Sequence, residues 1–191
     1  MTEEMPWFFH VVKHGLDVEE LKKWVLSKQI ITTDGYGAYS GRGDSTQHFF
    51  DDGSKGESLP VKDSYVKDFF YDMVKGICER NNIPHFENME YVNSWTIDGY
   101  KGSRHGIHQH SNPAGLVREG MSVLLYLNLP EDMSDMKGWF SYIDKDGEWC
   151  YLKPELDTVF IFSHQIPHCA LEQGEGLRKT LNIEFLKDKE K

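Results

Sequence analysis

Five of the nine histidines fall in two short segments, His105, His108 and His110 in one and His164 and His168 in the other. Neutral imidazole is the commonest transition-metal ligand among side chains, so such clustering points toward a metal centre. In Gly106-Ile107-His108-Gln109-His110, the histidines at 108 and 110 are separated by one residue. On an extended strand that spacing sends both side chains to the same side, which is how one strand offers two ligands to one metal. A histidine in a strand otherwise serves as a hydrogen-bonded core or surface residue, and H-x-H alone leaves both readings open. A third ligand has to come from elsewhere in the chain.

The later segment supplies a candidate. Pro154 opens a turn, Thr158-Val159-Phe160-Ile161-Phe162 is apolar, His168 follows, and Arg178 comes ten residues after it, with Thr180 two further on. This stretch resembles the C-terminal half of the 2-oxoglutarate- and iron(II)-dependent oxygenases. In that family a proline-led turn precedes an apolar strand, then a metal-binding histidine, then an arginine that grips the co-substrate. Asn93-Ser94-Trp95, His108-Gln109-His110-Ser111-Asn112, Val123-Leu124-Leu125-Tyr126-Leu127-Asn128 and Gly138 are similar to the same family, in the same order, so the likeness covers about residues 90–186. Within the family it is nearest to the bacterial and phage branch carrying H-x-H.

The resemblance implies iron(II) held by His108, His110 and His168, with 2-oxoglutarate and dioxygen as co-substrates. Arg178 is then the cation for the distal carboxylate of 2-oxoglutarate, because a planar guanidinium fork matches a carboxylate bidentately. Thr180 shares a strand face with it and can add a hydroxyl hydrogen bond, and Tyr126 and Asn128 are expected to line the same pocket. The implied reaction hydroxylates a small molecule or an amino-acid side chain and releases succinate and carbon dioxide.

Two positions depart from the family. Its first motif is usually H-x-D or H-x-E, and here the acidic position is His110, which makes the expected site three neutral imidazoles and leaves the ion its full charge. A bulky imidazole there also argues against a halogenase, which keeps that position small for halide. Asp157 stands where glycine commonly precedes the apolar strand. Two other readings belong to different classes: a cupin-type three-histidine dioxygenase needing no 2-oxoglutarate, and a non-catalytic metal-binding barrel. Cupins place a glutamate shortly after H-x-H, and Ser111-Asn112-Pro113-Ala114-Gly115 supplies none.

Composition narrows the partners. Lys and Arg total 21 against 31 Asp and Glu, a net charge of −10, which works against binding phosphate backbones or anionic lipid. The cysteines, Cys78, Cys150 and Cys169, are odd in number with no C-x-x-C spacing, as expected of a reduced, cytoplasmic protein rather than a disulfide scaffold. No apolar run reaches the ~20 residues of a membrane span, and Met1-Thr2-Glu3-Glu4 lacks the basic start of a signal peptide. Oligomeric state is not legible in these features.

The elements that must position the site come in two blocks. Asp17 with Glu20 has capping-box form, and Val18, Leu21 and Val25 keep helical spacing, which predicts a helix over 17–28. Val66, Phe69, Phe70, Met73, Val74 and Ile77 predict a second over 62–80. Between them, 32–58 is rich in glycine and reads as a long loop; its Arg42-Gly43-Asp44 is taken as a coincidental tripeptide. From Asn88 onward, short β-branched and aromatic runs predict strands near 89–97, 121–128, 138–143, 148–152, 157–163, 167–172 and 178–186, with Asp144-Lys145-Asp146-Gly147 as a hairpin turn. The expected architecture is one α+β domain over 1–191: helices and a glycine-rich loop over 1–87, packed on one sheet of a double-stranded β-helix over 88–191.

Overall fold

The computed structural model describes residues 7–34, 45–50, 65–110 and 119–187. Two α-helices and eleven strands organise them: β1 (Phe9–Lys13), α1 (Val18–Lys28), β2 (Gln29–Asp34), β3 (Ser45–Phe50), α2 (Tyr65–Arg80), β4 (Met89–Gly99), β5 (His105–His108), β6 (Gly120–Asn128), β7 (Phe140–Ile143), β8 (Trp149–Leu152), β9 (Thr158–Ser163), β10 (His168–Ala170) and β11 (Arg178–Lys187). The strands form a seven-stranded sheet in the order β1-β9-β6-β11-β4-β3-β2 and a four-stranded sheet in the order β5-β10-β7-β8. Every pairing is antiparallel. This is the double-stranded β-helix expected from the sequence.

Both helices lie on the outer face of the larger sheet. Asp17 caps α1 by accepting the Glu20 backbone N–H on its carboxylate at 3.0 Å. Leu21 and Val25 of α1 join Val66, Phe70, Val74 and Ile77 of α2 in one buried cluster with Val123, Leu125, Ile161, Leu181, Ile183 and Phe185 from the sheet. Trp24 stacks on Phe69 with centroids 3.7 Å apart, which ties the helices to each other. A smaller cluster of Leu124, Tyr126, Phe140, Phe160, Phe162 and Ile166 fills the space between the sheets.

Period-2 alternation makes both cores from the same strands. In β6, Val123 and Leu125 turn to the helices while Leu124 and Tyr126 turn inward. The predicted hairpin joins β7 to β8: the Gly147 amide donates to the Asp144 carbonyl at 3.1 Å, and Gly147 has φ +85°, a conformation that favours glycine.

The reading of 32–58 as loop is corrected for its described residues, 32–34 and 45–50. β2 and β3 pair antiparallel, and β3 continues onto β4, so this region extends the larger sheet at one edge. β1 closes the opposite edge against β9. Strands therefore precede as well as follow the helices. Polar residues in β2 and β3 hid them, since strands toward the edge of a sheet need not carry continuous apolar runs. Arg42-Gly43-Asp44 lies outside the described residues, as do Ser111 and Asn112.

Candidate metal and oxo-acid site

Two strand ends, and the segment just past one of them, bring the histidines together. His108 closes β5 and His168 opens β10, and the two are directly opposed in the ladder between these strands. His110 lies just past the end of β5 and not on it, which corrects the expectation of a single strand carrying both imidazoles. Its place is set by its own backbone N–H, which donates to the His164 carbonyl at 3.1 Å. The Gln109 side chain donates to the Gln165 carbonyl as well, so the segment is docked on the turn that leads into β10.

One ligand nitrogen from each of His108, His110 and His168 lies within 4.8 Å of the other two. Nε2 of His110 and Nε2 of His168 are 3.4 Å apart. An ion about 2.1 Å from each would subtend an angle of about 110° at that separation, within the range of a first-row metal.

The tautomers support the same use. Nδ1 of His108 faces the Gly106 carbonyl at 2.9 Å, and Nδ1 of His168 faces the Ile166 carbonyl at 2.9 Å. A carbonyl oxygen can only accept, so both Nδ1 atoms carry the proton and both Nε2 atoms present a lone pair. Nδ1 of His110 is in direct hydrogen-bond contact with the Glu184 carboxylate, which fixes its tautomer in the same way. Burial pushes the pKa of His108 down and that of His168 well down, keeping these imidazoles neutral. Phe140 stacks on His168 with centroids 5.6 Å apart and Phe162 meets it edge-on at 4.7 Å, so packing locks the ring.

His105 is not in this group. Its ring abuts His108 edge-on at 4.3 Å, and burial first, then the charges of His108 and Arg178, lower its pKa to about 3.

Arg178 opens β11 opposite Gly99 of β4. It is 5% exposed, and its Nη1 has no hydrogen-bond partner among the described residues. Burial lowers its pKa, while Tyr126 acts in the opposite sense. A Cβ added at Gly99 would stand 2.6 Å from Ser103 Oγ, 2.9 Å from Gln173 Oε1 and 3.3 Å from Arg178 Nη2, so the side chains beside the guanidinium pack closely over this glycine. A buried guanidinium without a carboxylate partner is costly, and an anionic ligand is what such a group is built to meet.

Thr180 pairs with Tyr126 across β11 and β6, and both are buried on the inward face. Asn128 is not with them. A β-bulge between Lys179 and Thr180 pairs Lys179 with Asn128 and skips a residue of β6, which turns Asn128 to the opposite face. There its amide donates to the carbonyls of Leu129 at 3.1 Å and Leu177 at 2.6 Å, and Lys22 of α1 donates to its oxygen at 3.4 Å.

No protein-family model matches the sequence, and no curated protein sequence does. Solved structures do. A 2-oxoglutarate–iron(II) oxygenase-family oxidoreductase from Burkholderia pseudomallei superimposes with a TM-score of 0.67 at 15% identity, over 97% of this chain and 87% of that one. HygX from Streptomyces hygroscopicus, solved with nickel, 2-oxoglutarate and hygromycin B, gives 0.64 at 13% identity over 99% and 88%. A prolyl-4-hydroxylase from Pseudomonas putida gives 0.61 at 16% identity over 94% and 92%. The chain shares the oxygenase fold. On that fold, sequence reasoning missed Glu184 and Ser122, whose Oγ lies 3.5 Å from His110 Nδ1. The signal for Glu184 was the alternation in β11, where Arg178, Thr180, Asn182 and Glu184 fall on one face.

No helix among the described residues is long and apolar enough to cross a membrane.

Proposed function

We propose that this protein is an iron(II)- and 2-oxoglutarate-dependent oxygenase that hydroxylates a small molecule or an amino-acid side chain. The observation that carries the reading is the pairing of two features in one interior. Three imidazoles with their Nδ1 protons engaged turn Nε2 lone pairs toward one another, and a buried arginine nearby has an unfilled donor. Both are reached from one face of β11, which carries Arg178 at its start and, six residues on, the Glu184 carboxylate that meets His110.

His108, His110 and His168 would hold the metal, a donor set that suits first-row ions. Iron(II) bound there supplies the redox chemistry that couples oxidation of the oxo acid by dioxygen to oxidation of the substrate. The chain's own groups do the rest. Arg178 pairs with the distal carboxylate of 2-oxoglutarate, with Thr180 as a neighbouring hydroxyl whose Oγ1 already accepts from Asn182 Nδ2 at 3.2 Å. Tyr126, its pKa pushed up to about 12 by burial, remains a neutral phenol beside this cation. Phe140, Phe160 and Phe162 wall the site and exclude water, which strengthens the ion pair. The buried cation also separates this reading from a three-histidine dioxygenase that uses no oxo acid, which has no need of one.

Incubating the purified chain with iron(II), ascorbate, dioxygen and 2-oxoglutarate tests the reading. Succinate should form slowly without substrate and faster with the right one. No succinate, together with no 2-oxoglutarate binding to the metal-loaded protein, would overturn it. Neighbours on this fold include a prolyl-4-hydroxylase and a protein holding hygromycin B, so proline-containing peptides and aminoglycosides are the first substrates to screen.

A further inference from the structure

We propose that Glu184 is a positioning residue of the metal centre: it holds His110 through the Nδ1 proton and restores, one layer out, a negative charge the three-imidazole ligand set lacks. This deepens the proposed function and rests on His108, His110 and His168 being the metal ligands.

The three imidazoles are not oriented alike. His108 and His168 each donate Nδ1–H to the backbone carbonyl two residues earlier, Gly106 and Ile166, so their orientation is local and neutral. His110 instead meets a carboxylate 74 residues away in sequence, on β11. Both partners are largely buried, each side chain 13% exposed. Burying a carboxylate is costly unless it is paired, and the His110 ring is one of the groups that pairs it.

Geometry aims it there. Glu184 pairs with Ser122 of β6 on one side and Asn93 of β4 on the other, and a bulge in the β4 pairing follows it, between Glu184 and Phe185. The extra residue of that bulge is Val92 on β4, so the alternation of β11 runs on unbroken and Glu184 faces inward between Ile183 and Phe185, which turn to the helix-facing core. The His110 ring also lies near-parallel to those of His164 and His168, at 19° and 16° with centroids 4.9 and 5.1 Å away. With Nδ1–H on the carboxylate, Nε2 has one direction left, toward His168 Nε2. A carboxylate acceptor also raises the basicity of the ring beyond what a carbonyl does, making the metal–nitrogen bond stronger. Its charge offsets part of the ion's charge across the imidazole.

His110, His164 and Glu184 also have ligand atoms within 4.8 Å of one another, the composition of a second metal site sharing His110. The direct hydrogen bond between His110 Nδ1 and the Glu184 carboxylate engages these two groups with each other, which favours the positioning role.

Cobalt(II) uptake by the full chain, followed by its visible absorption and by competition titration, tests the assignment. Wild type should bind one equivalent. Glu184→Ala should raise the cobalt dissociation constant about 10- to 100-fold, the usual cost of losing such a partner. Glu184→Gln, which keeps an acceptor of the same shape without the charge, should fall between, and both should shift the cobalt spectrum while far-ultraviolet circular dichroism stays that of wild type. Wild-type affinity and spectrum in both variants would overturn the role of Glu184, as would a second bound equivalent that only Glu184→Ala loses. His168→Ala is the control for the parent reading: if it keeps full cobalt, or wild type takes up none, the ligand set itself is wrong and the proposal falls with it.

Discussion

The two faces of the seven-stranded sheet are built from alternate residues of the same strands and end in opposite chemistries. On β11, Leu181, Ile183 and Phe185 turn outward into the cluster shared with α1 and α2. Arg178, Thr180, Asn182 and Glu184 turn inward, toward the proposed metal and oxo-acid site. The outer face holds the fold by burying apolar area, and each fully buried large side chain there contributes about 1.5–3 kcal/mol. The inner face carries groups that are costly to bury, and tolerates them because the outer face is rigid enough to hold them in register. A polar residue on a sheet is therefore read by its face as well as its strand.

Substitutions on either face should separate the two roles. The largest effect is expected of His168→Ala. Metal affinity should fall at least about 100-fold and 2-oxoglutarate turnover should vanish, while the helix-facing core stays folded by circular dichroism. If metal content survives, the inner face is not a metal site.

On the outer face, Phe185→Ala should destabilise the chain by about 3–5 kcal/mol in urea titration, because a fully buried ring packed on Phe86 at 5.1 Å leaves a cavity. The fraction that folds should bind metal as wild type does. Equal losses of stability and of metal affinity would show that the faces are not separable.

Returning to the inner face, Arg178→Ala should weaken 2-oxoglutarate binding on the order of 30-fold or more, from the roughly 2 kcal/mol lost when a buried charged partner is removed. Metal content should be unchanged. Arg178→Lys should recover part of the affinity, since it restores charge without the bidentate fork. Equal 2-oxoglutarate titrations for wild type and Arg178→Ala would remove this residue from the site.

The smallest effect is in alkaline stability. Burial raises the Cys78 thiol on the outer side from 9.0 to about 12, and the Tyr126 phenol on the inner side from 10.0 to about 12. The unfolded chain gives up these protons at lower pH than the folded one. The stability tied to each is therefore complete below its unfolded value and is lost as pH rises to about 12. Tyr142 acts in the same direction. Chemical denaturation across alkaline pH should show the decline beginning at about 9. Cys78→Ala should delay its onset, and Tyr126→Phe should reduce its later part. A profile unchanged by either variant would mean that neither group is as dry as its packing indicates.

Local spacing was enough to determine the two helices and the later strands, and it marked some of the groups now gathered inside. The helical period of Val66 to Ile77 and the alternation of β6, β9 and β11 are patterns that one segment can write by itself. The shared side of the H-x-H pair and the shared face of Arg178 and Thr180 are legible in the same way, whereas His168 and the role of Arg178 were implied by the family resemblance. Tertiary structure alone decided what lies between segments. β1 to β3 owe their strand state to pairing at the sheet edges, which their own composition does not announce. Asn128 shares its sequence parity with Tyr126, yet a single extra residue in the ladder turns it to the other face. The carboxylate sought beside His108 in sequence was found 74 residues past His110, on another strand. Side-chain periodicity records which face a residue takes within its own strand; which residue it meets across the interior depends on register and closure of the sheets, and no local pattern encodes those.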